Sequence, residues 1–214
     1  MSDGSVKRIL VLGAGGRTGR LVVEQALGHG HRVTAFVRDP ESLGISNDRL
    51  RVVSGDVTQA ADVQAALPDQ DAVISAVGSA GGKDLHVYSD GVANTIRGMT
   101  ARGLARLVVL SAVGVGTDGA GLPFAQRALR KLPAMRAICE DMERMEGDVM
   151  LSDLDWTIVR ASTLTDGPFT GVYRVVEGAF VPKGSQISRA DVAALLLKCA
   201  EGELFLRRAV AVAY

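Results

Sequence analysis

The chain has 214 residues, with 24 Lys+Arg against 24 Asp+Glu and a formal net charge of zero. Hydrophobic residues make up 47% of it, enough for a substantial core, and the length fits one large domain. The even charge balance contains no block that would recruit nucleic acid or an acidic membrane surface, so neither is expected as a partner.

In chain order, Met1 to Ser5 is polar and carries no signal-peptide pattern. No apolar run approaches membrane-spanning length, so a soluble, cytoplasmic protein is expected. The apolar run Ile9-Leu10-Val11-Leu12 reads as a buried strand, followed by Gly13-Ala14-Gly15-Gly16-Arg17-Thr18-Gly19 and a helix with Leu21, Val22, Val23, Ala26 and Leu27 on its apolar side. Strand, glycine turn and helix form the context of a phosphate cradle. Glycines let a pyrophosphate approach the backbone without a Cβ in the way. The helix start then points unpaired N–H groups and a positive dipole end at the anion.

His29-Gly30-His31 reads as a helix stop, with both histidines as solvated cap residues because no third ligand stands nearby. Val33 to Val37 is a second strand ending in Arg38-Asp39-Pro40. An acidic residue here would bind the adenosine ribose hydroxyls, whereas an arginine would pair a 2′-phosphate. Arg38, with Arg17 as a second cation, favours NADP over NAD. NAD is the preference if the Asp39 side chain faces the ribose instead, and Arg38 is then a surface charge.

Leu50 to Ser54 is a third strand, ending at Gly55-Asp56-Val57, and Thr58 is a plausible N-cap for a helix to Leu67. Ala72 to Ala76 is a fourth strand. It runs into the small-residue segment Val77-Gly78 to Gly82, which either admits a cofactor close to backbone or simply connects. Val87 to Arg102 is helical, and Arg106 to Leu110 is a fifth strand ending at Ser111-Ala112-Val113-Gly114. A polar helical region runs from Pro123 to about Leu151, interrupted at Pro133, and Trp156 to Arg160 is a sixth strand. Val172 to Val176 reads as a short strand, Ser188 to Asp191 as the cap of a last helix through Cys199, and Ala209 to Tyr214 as a final strand. Cys139 and Cys199 are in no metal-ligand or redox spacing, as suits buried thiols, and no metal site is expected.

This alternation of strands and helices implies a Rossmann-like, doubly wound α/β fold, with a mainly parallel sheet covered on both faces. Without a repeat or linker, one domain is the economical organisation. Residues after about Asp166 form a small C-terminal lobe over the reactive end of the cofactor.

The glycine spacing, Arg38, Gly55-Asp56-Val57, Ser111, Asp155-Trp156-Thr157-Ile158-Val159-Arg160 and Ile187-Ser188-Arg189-Ala190-Asp191-Val192-Ala193 together resemble the atypical short-chain dehydrogenase/reductases. The closest likeness is to the small NAD(P)H-binding group that includes NmrA-like proteins and biliverdin reductase B-like flavin reductases. The resemblance covers nearly the whole chain. It implies that Gly13, Gly15, Gly16, Arg17, Thr18 and Gly19 hold the pyrophosphate, Arg38 the adenosine phosphate, and Asp56 and Val57 the adenine. Ala76, Val77 and Gly78 would line the ribose, Ser111 would stand beside the nicotinamide, and backbone at Arg160 and Ala161 would hold the carboxamide.

The departures from that pattern bear on chemistry. Short-chain enzymes pair a tyrosine with a lysine four residues on, but none of Tyr88, Tyr173 and Tyr214 has one. Where relatives carry a lysine, this chain reads Cys139-Glu140-Asp141-Met142-Glu143-Arg144-Met145-Glu146. A ketone needs general acid catalysis, typically about 10²–10⁴-fold. Flavins and quinones need little, because solvent can protonate the product. The expected function is therefore hydride transfer from NADPH to a flavin, quinone or similar planar small-molecule acceptor, with Ser111 as the catalytic candidate. The alternatives are a non-catalytic NADP sensor and an NAD(P)-using epimerase or tailoring enzyme. In the latter the acidic run Glu140, Asp141, Glu143 and Glu146 would have to supply a base. Monomer and homodimer are equally compatible with the sequence.

Overall fold

A computed structural model describes residues 5–78, 86–117, 127–128 and 132–214. Its elements in chain order are β1 (Arg8–Leu12), α1 (Arg17–Gly28), β2 (Arg32–Val37), a 3₁₀ turn (Pro40–Ser42), β3 (Leu50–Ser54), α2 (Ala60–Ala66), β4 (Ala72–Ser75) and α3 (Val87–Thr100). There follow β5 (Arg106–Ala112), α4 (Pro133–Leu151), β6 (Asp155–Ala161), β7 (Thr163–Thr165), β8 (Arg174–Glu177), β9 (Gln186–Ser188), α5 (Arg189–Glu201) and β10 (Arg208–Ala213).

Eight strands form one sheet in the order β3-β2-β1-β4-β5-β6-β10-β8, and β7 and β9 pair separately. All neighbours are parallel except β10 and β8. Parallel strands buried on both faces need unbroken apolar runs, and β1 and β4 supply them: Ile9 to Leu12 and Ala72 to Ile74 are essentially inaccessible. One face packs Val22, Val23, Ala26 and Leu27 of α1 and Val192, Leu196 and Cys199 of α5 against Ile9, Val11 and Ile74. The other packs Val63 and Leu67, Val92 and Met99 of α3, and Met145 and Val149 of α4 against Leu10, Leu12 and Ile158. The order reverses between β1 and β4, where an open α/β sheet leaves a crevice at its carboxyl edge.

Several boundaries differ from the sequence reading. β5 continues two residues past Leu110, so that Ser111 pairs with Arg160 and Ala112 with Ala161. Thr58 is not the cap of α2: Gln59 occupies that position, and Thr58 instead donates its amide and hydroxyl to the Asp56 carboxylate. Pro133 opens α4 rather than interrupting it, as suits a residue without an N–H. Most of the region from Pro123 to that point, like Ser79 to Gly82, lies outside the described residues.

Two knots of side-chain hydrogen bonds fix α5. At its start the inaccessible Asp191 carboxylate accepts from Thr170 N and Gly171 N at 2.9 and 2.8 Å, and from Thr170 Oγ1, Ser188 Oγ and Tyr214 Oη at 2.7, 3.1 and 2.6 Å. Burial pushes this carboxyl up, but the bonds from Tyr214, Gly171 and Thr170 outweigh it and leave it below the usual carboxylate range. At the other end Arg106 donates to the carbonyls of Cys199, Asp155 and Leu204 and to Thr157 Oγ1. The end of a helix exposes carbonyls without partners, and a guanidinium with five donors is matched to them.

Candidate functional site

A cleft of about 730 Å³ opens at the carboxyl edge of the sheet. Its phosphate end is made by Gly13, Gly15, Gly16, Arg17 and Thr18. Gly13 has φ +75°, and a Cβ there would lie 2.7 Å from Ala76 O. A Cβ on Gly19 would overlap Gly13 O. Gly19 thus lets α1 pack against the turn and does not itself face the cleft. The α1 cap, Gly16, makes no side-chain hydrogen bond, and the first turn holds no acidic residue. Its N–H groups and dipole end are open to an anion, so this turn fits a dinucleotide pyrophosphate.

The adenosine end is formed by Arg38, Asp39, Ser42, Asp56 and Val57, at the ends of β2 and β3. Asp39 caps the 3₁₀ turn, its Oδ1 accepting from Glu41 N at 3.1 Å. Ala76, Val77 and Gly78 border the middle of the cleft. At the inner end stand Ser111, Ala161, Ser162 and Leu164, with Val87, Tyr88 and Met142. The Ser111 hydroxyl is buried and has no hydrogen-bond partner among the described residues. Buried hydroxyls are nearly always paired, so an orphan in a cleft wall points to a group that enters the cleft.

Arg160, whose backbone with that of Ala161 is expected at the carboxamide, does not itself line the cleft. Its side chain turns away from the cleft to Glu146, in a buried pair at 2.6 Å, and to Gly178 O at 3.0 Å. Only its neighbour Ala161 lines the cleft. The acidic run on α4 is also occupied elsewhere: Glu146 holds Arg160, while Asp141, almost inaccessible, accepts from Tyr88 N and Ser89 Oγ at the start of α3. Neither carboxylate lines the cleft.

Sequence reasoning passed over Tyr88, Met142, Leu164 and Arg189, all of which the fold brings to the cleft. Arg189 lay in a quoted motif, but nothing local says which way its side chain points. The reading of His29 as a solvated cap holds, since it caps the end of α1 with its side chain exposed, but that of His31 needs correction. His31 is buried, and both rings bond Glu201 Oε1, at 2.7 and 2.9 Å, a carboxylate about 170 residues on. The three groups are close enough together to suggest a metal site. The polarity says otherwise for His31: its Nδ1 accepts from Lys7 N at 3.2 Å, which puts the proton on Nε2, the atom that would have to bind a metal. Burial raises the Glu201 carboxyl, but the bonds from His29 and His31 outweigh it and lower it.

A family model described as NAD(P)H-binding matches residues 13–203. An uncharacterized chloroplastic protein of Arabidopsis thaliana is 31% identical over 174 residues, which are 77% of this chain and 62% of that protein. The chain therefore spans less than two thirds of that relative. Among solved structures, a short-chain dehydrogenase/reductase of Veillonella parvula in complex with NADP aligns with TM-score 0.79 and 20% identity over 98% of this chain and 95% of that one. An anaerobillin reductase of Escherichia coli O157:H7 aligns with TM-score 0.76 and 23% identity over 96% of each chain. These two likenesses concern the fold alone. The family match covers most of the chain and begins at the first glycine of the turn, and on it the chain belongs to the NAD(P)H-binding family.

Proposed function

We propose that the protein is an NADPH-dependent reductase of a planar aromatic acceptor such as a flavin or quinone. The observation that carries this is the orphan Ser111 hydroxyl at the inner end of the cleft, among walls that are apolar or carry neutral hydroxyls. The carboxylates that line the cleft, Asp39 and Asp56, belong to the adenosine end. Ser111 can orient an acceptor carbonyl or ring nitrogen by donating a hydrogen bond, but it is a poor proton source at neutral pH. Such a site suits an acceptor whose reduced form takes its proton from water.

NADPH, when bound, supplies the hydride. The chain supplies position: the glycine turn anchors the phosphates, Ala161 and Ser162 border the inner end, and Val87, Met142 and Leu164 keep water from it. The preference for NADPH over NADH rests on Arg38, with Asp39 occupied in capping its own turn. Support also comes from the short-chain fold neighbour in complex with NADP and from the anaerobillin reductase with the same fold.

The test is stopped-flow oxidation of NADPH with FMN and a panel of quinones. Acceleration over the enzyme-free rate for at least one acceptor is expected, and its absence for all of them overturns the proposal.

A further inference from the structure

Two arginines from opposite ends of the chain meet over the phosphate end of the cleft. Arg17 is the first residue of α1, and Arg189 is the first residue of α5. Both line the cleft. Asp166, just past β7, joins them: Oδ2 meets Arg17 Nη1 at 3.1 Å and Oδ1 meets Arg189 Nη1 at 2.6 Å. The partners differ in exposure. Arg17 and Asp166 are 70% and 68% exposed, and Arg189 only 11%. The start of α5 is held against α1 by Gln25 Nε2, which donates to Ala190 O at 3.0 Å.

A cation in the first turn of a helix sits at the positive end of its dipole and works against it. Both arginines do so, and both helices begin beside the same cleft; α1 has no acidic residue in its first turn, whereas Asp191 offsets part of the charge at the start of α5. One exposed carboxylate is a weak partner for such a concentration of positive charge, because solvent and salt screen it. A pyrophosphate carries two charges, offers several acceptor oxygens, and matches the fork of a guanidinium.

We propose that Asp166 is an internal stand-in for phosphate: it holds Arg17 and Arg189 together in the free protein, and the pyrophosphate of the dinucleotide displaces it, so that Arg189 is a second phosphate-binding arginine. This rests on the dinucleotide reading of the cleft but not on any turnover. The exchange is one of ion pairs, with no bond made or broken.

The test is calorimetric titration of NADPH, and separately of inorganic pyrophosphate, into the full chain and the variants D166N, R189Q and R189K at low and moderate salt. Thermal denaturation checks that each variant is folded. Removing the competing carboxylate in D166N is expected to tighten both ligands about threefold or more, most clearly at low salt. R189Q is expected to weaken NADPH about tenfold, with partial recovery in R189K. In the double variant D166N/R189Q the tightening should shrink, because one of the two released cations is gone. If D166N binds NADPH equally or more weakly, Asp166 does not compete and the proposal fails. If folded R189Q binds like the parent, Arg189 is no phosphate ligand and the proposal likewise fails. Parent protein that binds neither NADPH nor NADH would overturn the dinucleotide reading, and with it this one. Binding by the parent with unchanged variants would overturn this one alone.

Discussion

The phosphate end of the cleft and the rest of its frame are built on different principles. At the phosphate end the frame is backbone, with two arginines at its rim: a left-handed glycine at Gly13, a helix start capped by Gly16, and contacts too close for a Cβ, beside Arg17 and Arg189. Elsewhere around the cleft, position depends on side chains that lock distant segments together. Asp191 joins the loop at Thr170 to α5 and Tyr214, Asp141 holds the start of α3, and Glu146 turns Arg160 out of the way. The first arrangement suits an anion that many proteins bind alike. The second can be varied one residue at a time, which is where a choice of acceptor has to be made.

Breaking the second arrangement should have the largest effect on stability. Asp191→Asn replaces a buried carboxylate that accepts five hydrogen bonds from other residues, and a loss of about 3 kcal/mol is expected in urea unfolding at pH 7. Because the folded carboxyl titrates below its ordinary value of 3.8, its contribution is full above that pH and is lost as the pH falls through the folded value. The gap between parent and variant should therefore narrow progressively below about pH 3.8.

Gly19→Ala attacks the first arrangement. A methyl group overlapping Gly13 O should force the turn and α1 apart, at about 1–3 kcal/mol in stability. NADPH affinity should fall by more than the stability change alone explains. An affinity equal to the parent's would show that the turn tolerates a side chain and that backbone closeness is not what it provides.

Smaller effects sharpen the contrast. Arg38→Gln is expected to weaken NADPH about tenfold, roughly 1.4 kcal/mol, while leaving NADH unchanged. Isothermal titration with both cofactors decides this, and equal losses for the two would remove the 2′-phosphate assignment. Ser111→Ala deletes a hydroxyl without a partner among the described residues, so stability should move by no more than about 1 kcal/mol, with a gain more natural than a loss. If Ser111 orients the acceptor, NADPH oxidation with that acceptor should slow while NADPH affinity holds.

Much of the frame was legible in the sequence because it is written locally. Ile9 to Leu12 followed by glycines, and Leu50 to Ser54 followed by Gly55-Asp56, announce strand ends at a cofactor edge within a dozen residues. What was not legible depends on long loops closing. His29 and His31 gained Glu201 from the far end of the chain. Thr58 is a local exception, its amide and hydroxyl taken by the carboxylate of Asp56 two residues earlier. Arg160 matched a motif by position, yet its side chain followed Glu146, fourteen residues earlier on α4. Periodicity locates a strand end, but charge pairing decides where the side chain at that end points.

Cys199 lies on the inward face of α5, wholly inaccessible, with its thiol pushed up to about 11 by burial. A thiol in that state is protonated at neutral pH and shielded from reagents. It therefore reacts only when the helix lifts off the sheet, which makes its alkylation rate a clock for the opening of α5. Slower labelling with dinucleotide present would record how firmly a ligand at one edge of the sheet pins a helix that ends at the other.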